Sequence, residues 1–563
     1  AGLILTATAC AGGSSDDADG GGVTALVGAR IWDGTGADVI PDGILLIQDG
    51  RIIGAGSAGD LEVPAGAEVV DLQGRTLIPG LINTHGHVGD ILGLESGHYD
   101  RENLIRQLRL YADYGVTTVN SLGGDGPAGV ALRDEQAIPG LDRARLYVAG
   151  AVVTGATVEE ALSMVQENAD MGVDWMKLRV DDNLGSTRKM SPEVFAAVIE
   201  RSHELNLRLA SHLFYQDDAK ALLRAGSDFV AHSIRDEDVD DELLGLLRDN
   251  EVCYSPTLTR EVSTFVYEDR PEFFDDPFFL AHADSAVLER LQDPDRQARV
   301  RASSSAQQYK EALQVALRNV KRVADAGLPV AFGTDTGPAG RFQGYFEHME
   351  MALMADAGLT PEQILRSATG DAASCLDLAE EIGTLLPGRW ADFLVLSDDP
   401  LTDIRNVRSI ESVDEGGLQI GLTIAVTVAQ QGDAVAAFDR AFAALLDHSG
   451  DDVLRTDGRG VSTRSFGNQY VAIGQKQHLP RDFKAFRNRS YRETFGHGRK
   501  FAVPAFGRGN FHRRDQRIVL RGQSGAGAGL VEIAIAAFLT GSDRERQWKR
   551  ENGDPVHGRF STE

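Results

Sequence analysis

The hydrophobic pattern changes character twice along the chain. Residues 23–78 hold short apolar runs, "VTALVGARIWDG", "GILLIQDGRIIGAG" and "AEVVDLQGRTLI", that alternate or break at Asp-Gly, Gly and Pro. Strands and tight turns give that pattern, so this stretch predicts a small β module. From residue 80 apolar strand-like runs alternate with stretches of helical period. Eight strands are predicted: 80–85, 116–122, 145–150, 174–180, 208–213, 228–234, 252–258 and 329–335. Helices are predicted between most of them, for example at 157–171, 191–205 and 305–327. Eight such βα units predict a TIM barrel, whose chemistry gathers at the C-terminal ends of its strands.

Four domain segments follow from this pattern. Residues 1–22 read as a tether, 23–79 and 381–420 as one discontinuous β-sandwich module, 80–380 as the barrel, and 421–563 as an extension of uncertain fold. The second part of the β module rests on "GTLLPGRWADFLVLSDDPLTDIRNVRSIESV" (383–413), which again looks like strands and turns. Residues 260–304 separate the seventh strand from its helix. A connection of that size predicts a lid or an oligomer contact. Its aromatics Phe265, Tyr267, Phe273, Phe274, Phe278 and Phe279 either cover a pocket or pack the insertion against the barrel.

Charge sharpens the division. The chain of 563 residues carries a net charge of −28. From Arg455 onward, however, 21 Lys and Arg face 10 Asp and Glu, so everything before carries −39. The acidic bulk excludes nucleic acid as a partner for the whole protein. The basic end, rich in Arg, Gly and aromatics without period, reads either as a segment for an anionic surface or as translation in a wrong frame. Cys10 follows the apolar, small-residue run "AGLILTATA" and precedes the Gly-rich "AGGSSDDADGGG". This resembles the end of a bacterial lipoprotein signal. It implies lipidation at Cys10, an extracytoplasmic, membrane-anchored location, and membrane contact through that anchor alone. No later run is long enough to span a bilayer. Cys253 and Cys375 are expected as buried free thiols.

The candidate chemistry lies at the predicted strand ends. In "LINTHGHVGD" an extended backbone turns His85 and His87 to one side, as residues i and i+2. Lys177 lies on the fourth strand, His212 on the fifth and His232 on the sixth, and Asp335 ends the eighth. Metal-type ligands at successive strand ends point to a metal centre.

The motifs "PGLINTHGH", "DWMKLRVDD", "LASHLFYQDDAKALLRAGSDFVAHSIRD", "VAFGTDTG", "AGLTPEQILRSATGDAA" and "GRWADFLVLSDDPL" carry a family resemblance. Across about residues 23–420 the chain resembles the amidohydrolase superfamily, in the branch of imidazolonepropionase-like enzymes and metal-dependent Xaa-Pro dipeptidases. The resemblance implies a β-sandwich beside a TIM barrel. It implies two divalent ions, zinc expected, held by His85, His87, Lys177, His212, His232 and Asp335. Because an ammonium has no lone pair, Lys177 is expected to act as a CO2-derived carbamate bridging the two ions. A hydroxide shared by the ions would attack the carbonyl, and Asp335 would be the catalytic proton shuttle to the leaving nitrogen.

The implied substrate is a small amide, an Xaa-Pro dipeptide or an N-acyl amino acid, cleaved at its C–N bond. Arg235 is the expected partner of its carboxylate. Tyr215 and Tyr254 are the expected hydrogen-bond donors. The same site would also suit a cyclic amidase, a lactonase or a phosphotriesterase. A reading of another class is a catalytically silent, surface-tethered binding lipoprotein. A homo-oligomer is compatible with all of these. His98, His203 and His282 read as surface residues, and His348 as structural.

Overall fold

The computed structural model describes residues 22–416 and, beyond them, the backbone of a few short strands. The chain forms two compact units, Ala1–Gly421 and Leu422–Glu563. In the second, Ile424–Val426 pairs antiparallel with Gln469–Ala472, and Arg517–Gln523 with Leu530–Ala536. Cys10 and the basic run 485–516 lie outside the described residues.

The first unit opens with β1 (Val23–Ile31), β2 (Ile40–Gln48), β3 (Arg51–Ser57), β4 (Glu68–Asp71) and β5 (Thr76–Pro79). The β2–β3 hairpin turns at Asp49-Gly50, both in the left-handed region (φ 49° and 77°). A two-residue hairpin turn of that hand matches strand twist and explains the Asp-Gly pair. β1 pairs antiparallel with β2 and parallel with both β4 and β5. On its far side β5 pairs antiparallel with a strand from beyond the barrel, so Leu394 lies opposite Ile78 and Val395 opposite Leu77. Leu26, Ala29, Ile31, Leu45, Ile47, Leu77, Phe393 and Val395 bury one shared apolar cluster from both stretches of chain.

The barrel follows at once. Its strands are β6 (Leu81–Gly86), β7 (Val116–Ser121), β8 (Arg145–Val148), β9 (Trp175–Arg179), β10 (Arg208–His212), β11 (Phe229–Val230) and β12 (Cys253–Tyr254). β6, β7 and β8 pair in parallel, as do β9 through β12. The segment 330–336 takes the eighth position, where parallel bridges join Tyr254 to Val330 and Thr336 to Gly86. A further parallel bridge, Val153 to Leu178, joins the two sheets on the other side. Every residue of β6 and β7 is buried, as expected for parallel strands covered by helices outside and side chains inside. The predicted helices stand at Val158–Met171, Pro192–Glu204 and Ser304–Asp325.

Two expectations need correction. Residues 260–304 are not a long loop but a chain of short helices, including Leu258–Phe265, Pro277–Leu280, Ser285–Leu291 and Pro294–Ala302. Aspartates cap three of them, Asp276, Asp284 and Asp293, each accepting a backbone N–H of the first turn. Tyr267, Phe273, Phe274 and Phe279 pack the insertion onto Tyr114, Tyr345 and Phe346 in one buried aromatic cluster. They serve as core of the insertion.

Cys253 and Cys375 are not free thiols. They form a disulfide across 122 residues, from β12 to the end of helix Gly370–Cys375. Among the described residues no helix is long and apolar enough to cross a membrane.

Candidate metal centre

β6 delivers the first two candidate ligands by its period of two. His85 is 1% exposed, and His87 follows just beyond the strand end with its side chain 25% exposed. Their ring centroids are 5.6 Å apart. His87 Nδ1 lies 2.9 Å from the carbonyl oxygen of Gly123 and donates to it, so Nε2 is the nitrogen that faces the site. That Nε2 is 2.8 Å from Asp335 Oδ1. A protonated ring would donate across that distance, and a neutral ring beside a carboxylate suits a shared metal ion. Gly337 makes the approach feasible, since a Cβ there would stand 2.1 Å from the His87 carbonyl oxygen.

The remaining imidazoles converge from β10 and from just after β11. His232 is 4.6 Å from the His85 ring and 4.2 Å from the His212 ring, centroid to centroid. His232 Nδ1 is 2.8 Å from Thr257 Oγ1, and His212 Nε2 is 2.8 Å from Asp181 Oδ2. Each imidazole is thus held by one nitrogen and keeps the other for a ligand. His85, His232 and Asp335 offer donor atoms that all lie within 4.8 Å of one another. Burial lowers all three inner imidazoles, His85 and His232 far below the ordinary value and His212 to about 3 despite its Asp181 partner. That direction favours the neutral imidazole, the form a metal ion binds.

Lys177 points into the same cluster from β9, with Nζ 3.3 Å from His85 Nε2. The two acids that might have held it as an ordinary ion pair are engaged elsewhere. Asp174 takes Arg133, and Asp181 takes His212. Burial drives the Lys177 ammonium down to about 7, with Asp335 opposing and Arg179 assisting the fall. A large share of the amine is therefore unprotonated near neutral pH.

Asp335 sits where the backbone is left-handed (φ 58°), uncommon for a residue with a side chain. Burial acts to raise its carboxyl, but the Arg341 guanidinium and the two histidines outweigh this and hold it well below the usual range. Arg341 donates from Nη1 to Asp335 Oδ2 at 2.5 Å and from Nε to Ser263 Oγ at 3.0 Å. All six expected ligands thus meet in one place, and their donor set suits divalent ions.

The expected substrate contacts fare differently. Arg235 is not at the mouth: it is 1% exposed, with Nε 2.9 Å from Glu261 Oε1 and Nη1 donating to the Leu213 and Ser233 carbonyls. Tyr254 is fully buried, and its hydroxyl accepts the Ile234 N–H rather than facing a ligand. Tyr215 is partly exposed and donates to Asp182 Oδ1 at 2.9 Å. His348 is structural, 2.8 Å from the Tyr114 carbonyl oxygen, and His203 pairs with Asp228 near the surface. His282 is half-buried against the Tyr114 ring instead of standing on the surface.

Sequence reasoning did not find Arg341 or Thr257, and it gave Asp181 no part in the site. Asp181 had a signal: it follows Lys177 and Arg179 at the same two-residue spacing. Arg341 stands in the loop "GPAGRFQG", where no period marks it.

Residues 76–416 match the amidohydrolase family. Imidazolonepropionase of Streptomyces coelicolor is 24% identical over 383 residues, which is 64% of this chain and 87% of that protein. Among solved structures, a Xaa-Pro dipeptidase with bound methionine in the active site aligns at 20% identity and a TM-score of 0.56, over 70% of this chain and 99% of that one. A prolidase complexed with N-methylphosphonate-L-proline aligns at 18% identity and a TM-score of 0.57, over 71% and 99%. These likenesses support the barrel, and the family match spans all six of the converging residues. The chain belongs to the amidohydrolase family and is a hydrolase acting on carbon–nitrogen bonds.

Proposed function

We propose that this hydrolase cleaves the amide C–N bond of a small substrate that releases an amino acid, an Xaa-Pro dipeptide or an N-acyl amino acid. The observation that carries the reading is Lys177, buried with its amine 3.3 Å from His85 inside a ring of histidines and Asp335. His85, His87, Lys177, His212, His232 and Asp335 would hold two divalent ions, with zinc expected. When bound, such ions acidify a water and polarise a carbonyl. The unprotonated Lys177 amine adds to the carbon of CO2 and releases its proton, giving an anionic carbamate whose oxygens can ligate. Asp335 takes the proton of the attacking water and passes it to the leaving nitrogen.

Arg341 replaces Arg235 in this reading as the partner of the substrate carboxylate. It reaches the Asp335 carboxylate from the loop after the eighth strand position, and its side chain is 19% exposed. Arg341→Met is expected to raise KM about 10- to 100-fold for substrates with a free carboxylate, the worth of one hydrogen bond to a charged group. Because Arg341 also holds Asp335, kcat should fall on both substrates, but the KM of the C-terminal amide of the same substrate should change little. An equal rise in KM on both would remove Arg341 from recognition.

The solved relatives named for Xaa-Pro peptides and for a proline phosphonate support this substrate class. The imidazolonepropionase relatives favour a second reading, a cyclic amide. The test is a hydrolysis screen with zinc and bicarbonate supplied, covering Xaa-Pro dipeptides, N-acyl amino acids, cyclic amides, lactones and phosphotriesters. The highest kcat/KM is expected among the first two. A clear preference for any other member would overturn the reading, and hydrolysis of none would favour a silent binding protein.

The Cys253–Cys375 disulfide supports an extracytoplasmic location, because such bonds persist mainly in oxidising compartments; anchoring at Cys10 is a proposal from the sequence alone.

A further inference from the structure

Helix Tyr345–Asp356 carries two fully buried acids that take no part in the chemistry above, Glu347 and Glu350, both 0% exposed. They are three residues apart and so project from one side of the helix. Their partners are specific. Glu347 Oε1 accepts from Asn83 Nδ2 at 2.7 Å, Thr334 Oγ1 at 2.8 Å and Thr336 Oγ1 at 2.6 Å. Thr334 and Thr336 flank Asp335, and Asn83 Oδ1 accepts the backbone N–H of His85. Glu350 accepts the backbone N–H groups of Leu258 and Thr259, both at 2.7 Å, and the Thr259 hydroxyl. Those residues follow Thr257, which holds the His232 ring. The Thr259 hydroxyl also lies 3.1 Å from the Thr334 carbonyl oxygen, tying the two clamps together.

Asp335 (φ 58°) and Thr257 (φ 46°) are both left-handed residues with side chains, and both touch the metal centre. Strained backbone persists only where its surroundings over-determine it. Here each strained position is pinned by one carboxylate of the same helix. We propose that Glu347 and Glu350 are the positioning residues of the metal centre, Glu347 fixing Asp335 and His85 and Glu350 fixing His232 through Thr257. The inference rests on the metal reading of the site, not on any substrate.

The test is zinc affinity, measured by competition with a chromogenic chelator, together with zinc bound per chain and kcat and KM for the best substrate of the screen. Glu347→Ala is expected to weaken zinc about 10- to 100-fold, as for other groups that orient metal ligands, and to lower kcat more than it changes KM. Glu347→Gln keeps an oxygen for the three donors and is expected within about threefold of the parent. Glu350→Ala should weaken zinc from the His232 side. Met351→Ala, which opens a cavity on the same helix, should lose thermal stability with zinc affinity unchanged. Parent-like zinc affinity in Glu347→Ala, or an equal loss in Met351→Ala, would overturn the proposal. Parent-like affinity in Glu350→Ala would remove Glu350 from it. Should Glu347→Ala fail to fold, Glu347→Asp, one methylene short of its partners, decides by the same affinity. A parent protein that takes up no zinc would instead sink the metal reading itself.

Discussion

Asp335→Asn is expected to lower kcat by about 10^3-fold while leaving the fold and much of the metal in place. The substitution keeps size and one acceptor oxygen, so Arg341 retains a partner. Asparagine also tolerates the left-handed backbone at this position better than other residues. What it removes is proton acceptance. A carboxylate 2.8 Å from His87 and beside the other candidate ligands would take a proton from a water bound there. An amide cannot. Circular dichroism and metal analysis would show an intact centre, and kcat would show the loss. Full turnover by Asp335→Asn would remove the shuttle role and leave Asp335 as a ligand only.

Reduction of the Cys253–Cys375 disulfide, or its replacement by Cys253→Ser with Cys375→Ser, is expected to cost ~5 kcal/mol of stability in the chain-entropy picture. That figure follows from a closed loop of 122 residues. For a unit of this size the melting temperature should fall by roughly 6 °C. Both sulfurs sit in the apolar cluster with Ala372, Leu376, Phe229 and Ala331, so the loss should appear in stability rather than in kcat. Calorimetry with and without reductant is the measurement. A melting temperature that ignores reductant would mean the bond is not formed in the protein as produced.

The barrel and the convergence of its candidate ligands were legible because both obey short-range rules. Buried parallel strands read as apolar runs, and His85, Lys177, His212, His232 and Asp335 fall on or just past the ends of those runs. What escaped depends on distance in the chain or on which way one side chain turns. Arg235 stands three residues after His232, yet its guanidinium folds inward to Glu261, a partner on another element. Tyr254 begins no readable alternation because β12 is two residues long, and its hydroxyl serves the Ile234 backbone. The disulfide joins residues that meet only once the barrel closes. Glu347 and Glu350 look like the polar side of a surface helix until the loops at Thr257 and Asp335 are placed over them. The insertion at 260–304 is a different case, since its Asp-Pro and Asp-Ser caps were present as local helix-start signals.

The most direct test of the central claim is the number of metal ions bound per chain after reconstitution with zinc and bicarbonate, in the parent and in Lys177→Ala. Two ions in the parent and at most one in the variant are expected, because the bridging group would be gone while His85, His87 and Asp335 remain. Two ions retained by Lys177→Ala would contradict a bridging lysine, and none in the parent would contradict the metal centre as a whole.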